Sequence, residues 1–144
     1  MRAWIGSLLL LVACSTPGPR EVVVGTDLCE HCHMTVVDPR FVSQLVTTTG
    51  KVLIFDDAGC LATALNDGVV AGPQVRSLWV TDFLAPAALL EAEAAWFVRA
   101  PSLNTPMASG LAAVPTSVQA DSLAVALGGE VLRWAAVRTT PHGH

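Results

Sequence analysis

The chain has 144 residues, 52% of them hydrophobic and 14% charged, with a formal net charge of −4. That length suits one ordinary domain or two very small ones, and the apolar content supplies a core, which excludes wholesale disorder. Nucleic-acid binding needs a clustered Lys/Arg footprint, and this acidic chain has no long basic run.

The N-terminus, MRAWIGSLLLLVAC, sets one arginine before a short apolar run. It reads as a secretory signal over residues 1–13, too short to span a bilayer. Leu11-Val12-Ala13-Cys14 resembles the lipobox of bacterial lipoproteins, which are cut before the cysteine. Cys14 is then the lipidation site, and acyl chains hold the protein on a membrane at ~0.8 kcal/mol per buried methylene. The expected location is the cell envelope, facing the periplasm or the cell exterior. Cleavage would remove Arg2 and leave seven basic residues against twelve acidic ones, a charge of −5.

With Cys14 assigned to lipid, Cys29, Cys32 and Cys60 are left. Three is odd, so at least one thiol stays unpaired in a compartment where disulfides persist. A bound metal would account for it.

Residues 14–26 form the lipidated N-terminus and a Pro/Gly spacer. The segments Phe41–Thr48 and Lys51–Phe55 are β-rich and meet through Gly50. FDDAGCLATALNDG predicts a helix, capped by Asp56 or Asp57 and stopped by Gly68. A strand follows at Arg76–Phe83. LAPAALLEAEA, with Pro86, suits a linker or short connecting helix, and a boundary falls near residue 90.

The second half repeats this order. AAWFVRA is a strand, PSLNTPMASG a loop and LAAVP a short strand. TSVQADSLAVALGG predicts a helix with a Thr116/Gln119 capping box and a Gly128-Gly129 stop. EVLRWAAV closes the half as a strand. The expected fold is therefore α+β, two ββαβ halves at residues 27–88 and 89–138, each too small to be stable alone. A His-containing tail, 139–144, carries His142 and His144, which can scavenge metal or simply be solvated.

The first half opens with LCEHCHM, residues 28–34. A thioredoxin-like redox pair needs a helix opening at the second cysteine to lower the thiol pKa. Here HMTVVDPRFV follows, β-branched and broken by Pro39, so that basis is missing. A structural zinc site needs four nitrogen or thiolate ligands. Cys29, Cys32, Cys60 and His31 or His33 could supply them, without a second CxxC to complete a familiar ribbon. Met34 favours a softer ion, because a neutral thioether suits Cu(I) and binds Zn(II) poorly. On a strand, Cys32 and Met34 would share a face, with His33 on the other. Met107, between Pro106 and Gly110, is a second thioether in a loop. Cys60 reads as a small buried residue at the helix start, with a reserve thiol as the other reading.

LCEHCHM and FDDAGC in the first half, with TPMASG and GGEVLRW in the second, together resemble the NosL family over roughly residues 26–137. Gln44 in SQL belongs to the same pattern. The resemblance implies lipoprotein accessory factors that bind Cu(I) for nitrous oxide reductase. It also implies a duplicated ββαβ fold shared with the organomercurial lyase MerB. Its Cu(I) site would use Cys32 and Met107, with Met34 and Cys29 as further ligands and His33 as an auxiliary nitrogen or a solvent-facing residue. The chain departs from the family at His33 and Ala108, where the family commonly has glycine.

The function this implies is a membrane-anchored Cu(I) chaperone, not an enzyme. It would take copper from an upstream donor and deliver it to an apo copper enzyme, nitrous oxide reductase by resemblance. The alternative is a lipoprotein that binds structural zinc or buffers heavy metals in the envelope. MerB-like catalysis would need a carboxylate proton donor, and Asp56 or Asp57 reads more simply as a helix cap.

Overall fold

The computed structural model describes residues 16–140. Cys14, the leader, His142 and His144 lie outside them. The described chain is α+β, as the sequence predicts, with two antiparallel sheets and three short α-helices. Among the described residues no helix is long and apolar enough to cross a membrane.

Strands β1 (Ser43–Thr47) and β2 (Val52–Phe55) form a hairpin whose turn contains Gly50 at φ 88°, a backbone angle that suits glycine. In β2 the side chains alternate: Leu53 and Phe55 enter the main core, while Val52 and Ile54 face a smaller cluster with Val36 and Val42. Both faces of this sheet are therefore covered. Helix α1 (Ala58–Asn66) packs on one, and the N-terminal segment folds over the other. Gln44 fastens that segment. Its side chain accepts from the Arg20 amide (3.0 Å) and donates to the Arg20 carbonyl (2.8 Å).

Strand β3 (Val75–Thr81) pairs with the other edge of β1. The stretch read as a linker or helix instead contributes β4 (Leu89–Glu91), antiparallel to β3, so the sheet order is β2-β1-β3-β4. Alanine and glutamate are good helix formers, but intrinsic propensity is a small term and pairing with the open edge of β3 overrides it.

Strands β5 (Trp96–Arg99) and β6 (Leu111–Val114), helix α2 (Ser117–Leu127) and β7 (Glu130–Arg133) build the second sheet, in the order β6-β5-β7. That order matches β2-β1-β3 of the first sheet. Thr116 caps α2 by accepting from the Gln119 amide, and Gly128 ends it in the left-handed conformation. Gln119 does not reach back to the backbone; its side-chain oxygen accepts from the Thr116 hydroxyl at 2.7 Å.

The expected last strand stops at Arg133. Trp134 instead starts helix α3 (Trp134–Thr139), because Trp134 and Val137, three residues apart, are both buried. Trp134 packs against Phe97, with ring centroids 5.7 Å apart. One apolar cluster contains Leu45, Phe55 and Leu61 from the first half and Phe97, Leu111 and Trp134 from the second. The halves share a core.

Candidate metal centre

Residues 23–36 form a narrow ribbon. Leu28 and Thr35 pair antiparallel, Val36 donates to Asp27 (2.9 Å) and Gly25 to Val36 (2.8 Å). Asp27 fixes its base by accepting from the Val23 amide and from both terminal nitrogens of Arg20. Glu30 donates its amide to the Ile54 carbonyl at 2.8 Å, which seats the ribbon tip on the edge of β2.

The tip runs from Cys29 to Met34 and is a turn, not a strand. The Cys29 amide donates to Met34 and the His33 amide to Cys29, both at 2.9 Å, and His33 is left-handed at φ 60°. The expected sharing of a face by Cys32 and Met34 therefore fails. Cys32 is half-buried and points its thiol at Asp56 Oδ2, 3.6 Å away, whereas Met34 is 55% exposed. His33 is exposed.

The turn carries Cys29 and Cys32 to the start of α1, where Cys60 lies. One sulfur from each of these three residues falls within 4.8 Å of the others, and all three thiols are free. The sequence favours burial for Cys60, with a reserve thiol beside the site as the other reading; it is buried, and its sulfur lies in the thiol cluster. The signal was its place as the third residue of a helix capped by Asp57, which turns its side chain toward the ribbon.

Cys29 is the anion of the group. The Cys60 thiol donates to it, and the amides of Cys32, Asp56 and His31 point at its sulfur; together they overcome burial and lower its pKa to about 5. The amides of His31 and Cys32 come from the turn itself, two and three residues after the sulfur they stabilise. Burial pushes Cys32 up to about 11, with the Cys29 thiolate adding to the effect. Cys60 is also raised, first by its hydrogen bond to Cys29 and then by burial. Burial and the Cys29 charge lift Asp56 to about 6. Asp56 Oδ1 is buried with no hydrogen-bond partner among the described residues. Negative charge on the cluster is thus favoured at Cys29, and that charge together with burial disfavours a second one on Asp56 beside Cys32.

Met107 lies in the loop between β5 and β6, half-buried against the same apolar cluster as Cys29, Cys32 and Cys60. Three short bonds shape this loop. Ala108 donates its amide to Thr105 (3.0 Å), Gly110 donates to the Thr105 hydroxyl (3.1 Å), and Ser109 donates its hydroxyl to Asp57 Oδ2 (2.7 Å). Asp57, not Asp56, is the cap of α1: its Oδ1 accepts from the Cys60 amide at 2.9 Å.

A two-sheet α+β fold with three clustered free thiols at the base of an exposed turn defines a protein able to hold a thiophilic metal ion. The chain matches the NosL family over residues 22–141 and belongs to it. Among solved structures it is similar to the copper chaperone NosL from Shewanella denitrificans, with a TM-score of 0.72 and 22% identity over 84% of this chain and 96% of that one. At that identity the likeness speaks for the fold. No curated protein matches the chain.

Proposed function

We propose that this protein is an extracytoplasmic Cu(I) chaperone, anchored through lipid on Cys14, that passes copper to an apo enzyme. Membership of the NosL family supports nitrous oxide reductase as the client. The observation that carries the reading is the approach of three free thiols to within 4.8 Å beneath the ribbon tip, Cys29 and Cys60 buried and Cys32 partly exposed. Soft sulfur donors select Cu(I), which is content with few ligands.

Negative charge is favoured first on Cys29, held by amides, which gives an incoming cation its first sulfur. Each further thiolate, Cys32 or Cys60, must give up a proton to the ion, so metal uptake should release protons. The ligands proposed are Cys32, Cys29 and Met107, with Cys60 as a further thiolate. Met34, exposed on the ribbon, is placed to meet the ion on its way in or out. His33, beside it, can lend a nitrogen in passing. The site does no bond chemistry; its task is to hold and release.

Structural zinc is the second reading. It is favoured by the third thiol, which brings the cluster to three of the four donors a closed zinc site needs. The readings part in a transfer assay: the Cu(I)-loaded chain is mixed anaerobically with apo nitrous oxide reductase. A chaperone loses its copper and the enzyme gains its visible spectrum. A structural or buffering protein keeps its metal, which would sink the client assignment.

A further inference from the structure

We propose that Asp57 and Ser109 are positioning residues that hold the Met107 loop at the thiol cluster, so that a bound ion recruits the thioether. This deepens the reading of the site as a Cu(I) carrier and rests on it. The sulfurs come from two separate halves of the fold: Cys29, Cys32 and Cys60 from the first, Met107 from the second. Their separation is set by whatever spans the gap. Asp57 spans it with a different oxygen for each side, Oδ1 to the Cys60 amide (2.9 Å) and Oδ2 to the Ser109 hydroxyl (2.7 Å). Two residues separate Cys60 from Asp57 in one direction, and one residue separates Met107 from Ser109 in the other. Asp57 is fully buried and Ser109 is 7% exposed, so water does not compete for these bonds.

The Ser109 end is itself braced. Its hydroxyl lies 3.3 Å from that of Thr105, which accepts from Gly110. Gly110 admits no side chain, because a Cβ there would stand 2.9 Å from the Ala100 carbonyl oxygen. The loop thus has one tight foot against Ala100, just after β5, and one strut to the cap of α1, with Met107 two residues before the strut. Removing the strut should leave the thiols in place and free the thioether.

The test is an anaerobic Cu(I) competition titration of the full chain with Ser109→Ala, Ser109→Thr, Met107→Ser and the double variant Ser109→Ala/Met107→Ser. Cd(II), which thiolates hold without help from a thioether, is the control ion. The strut predicts about tenfold weaker Cu(I) binding in Ser109→Ala, a change of about 1.4 kcal/mol. It also predicts unchanged Cd(II) binding, recovery in Ser109→Thr, and no further loss when Ser109→Ala is added to Met107→Ser. Labelling the methionine methyls supplies a readout that needs no variant: the Met107 methyl and the Cys60 amide should shift together as Cu(I) is added. Equal weakening of Cu(I) and Cd(II), additive losses, or Cu(I) affinity unchanged in Ser109→Ala each overturns the strut. Wild-type affinity in Met107→Ser is a different failure, since it removes the thioether from the site and the strut's purpose with it.

Discussion

His33 and Ala108 share a backbone conformation found at no other non-glycine residue among the described ones: both are left-handed, at φ 60° and 56°. Each adjoins a sulfur residue, His33 between Cys32 and Met34 and Ala108 directly after Met107. A side chain at a left-handed position costs about 1–2 kcal/mol, and glycine's extra chain entropy returns about 0.5–1 kcal/mol of that. His33→Gly and Ala108→Gly should each raise stability by up to about 1 kcal/mol, read as a higher midpoint of thermal unfolding. A lowered midpoint in both would mean that the two turns are held by their side chains.

The sulfur cluster should make stability depend on pH with a definite sign. The Cys29 thiol is lowered to about 5 in the folded chain, against about 8.5 for a free cysteine. Its contribution is therefore complete above the unfolded value and is lost as pH falls through about 5. Asp56, raised to about 6, acts in the opposite sense and stabilises only while protonated. Cys29→Ser should lose stability at neutral pH and draw level with wild type near pH 4. Asp56→Asn should gain stability above pH 6. Denaturant melts across pH 4–8 check both; parallel curves for Cys29→Ser and wild type would deny the thiolate.

Gln44 was legible as part of a family pattern, and the structure gives it a mechanical task. Its buried amide makes both hydrogen bonds to the Arg20 backbone. Gln44→Ala should cost about 2 kcal/mol, two hydrogen bonds at about 1 kcal/mol each. Amide exchange should quicken first over residues 20–36, the segment it fastens, before the sheets respond. Uniform quickening would mean that the segment and the sheet open together.

The shared core predicts one unfolding transition. Phe97 is fully buried between the halves, against Trp134. Phe97→Ala should cost about 3–5 kcal/mol. Tryptophan fluorescence and far-ultraviolet dichroism should still coincide, although Trp79 lies in the first sheet and Trp96 in the second. Two separated transitions would show that each half folds by itself.

How much of this was readable beforehand follows from how local each signal is. The β1–β2 hairpin and the capped helices α1 and α2 were legible, because alternation, caps and glycine stops act within a few residues. The ribbon tip was not: Thr35-Val36-Val37 reads as strand, and no glycine marks the left-handed turn at His33. Trp134 was misread as strand because a short apolar run fits either period, and only the neighbouring Phe97 decides. The fourth strand hides in helix-forming residues for the same reason. Cys29 and Cys32 were visible as a pair, while Cys60, nearly thirty positions on, joins them only once α1 packs.

A sulfur site for Cu(I) is open to an anaerobic titration of the purified chain with Cu(I) and, in parallel, Zn(II), each against a competing chromophoric chelator, for wild type, Cys32→Ser and Met107→Ser. Such a site should hold Cu(I) far more tightly than Zn(II), and both substitutions should weaken it. Zinc held more tightly than copper, indifferent to Met107 but dependent on Cys29, Cys32 and Cys60, would contradict it and make the cluster a structural clip.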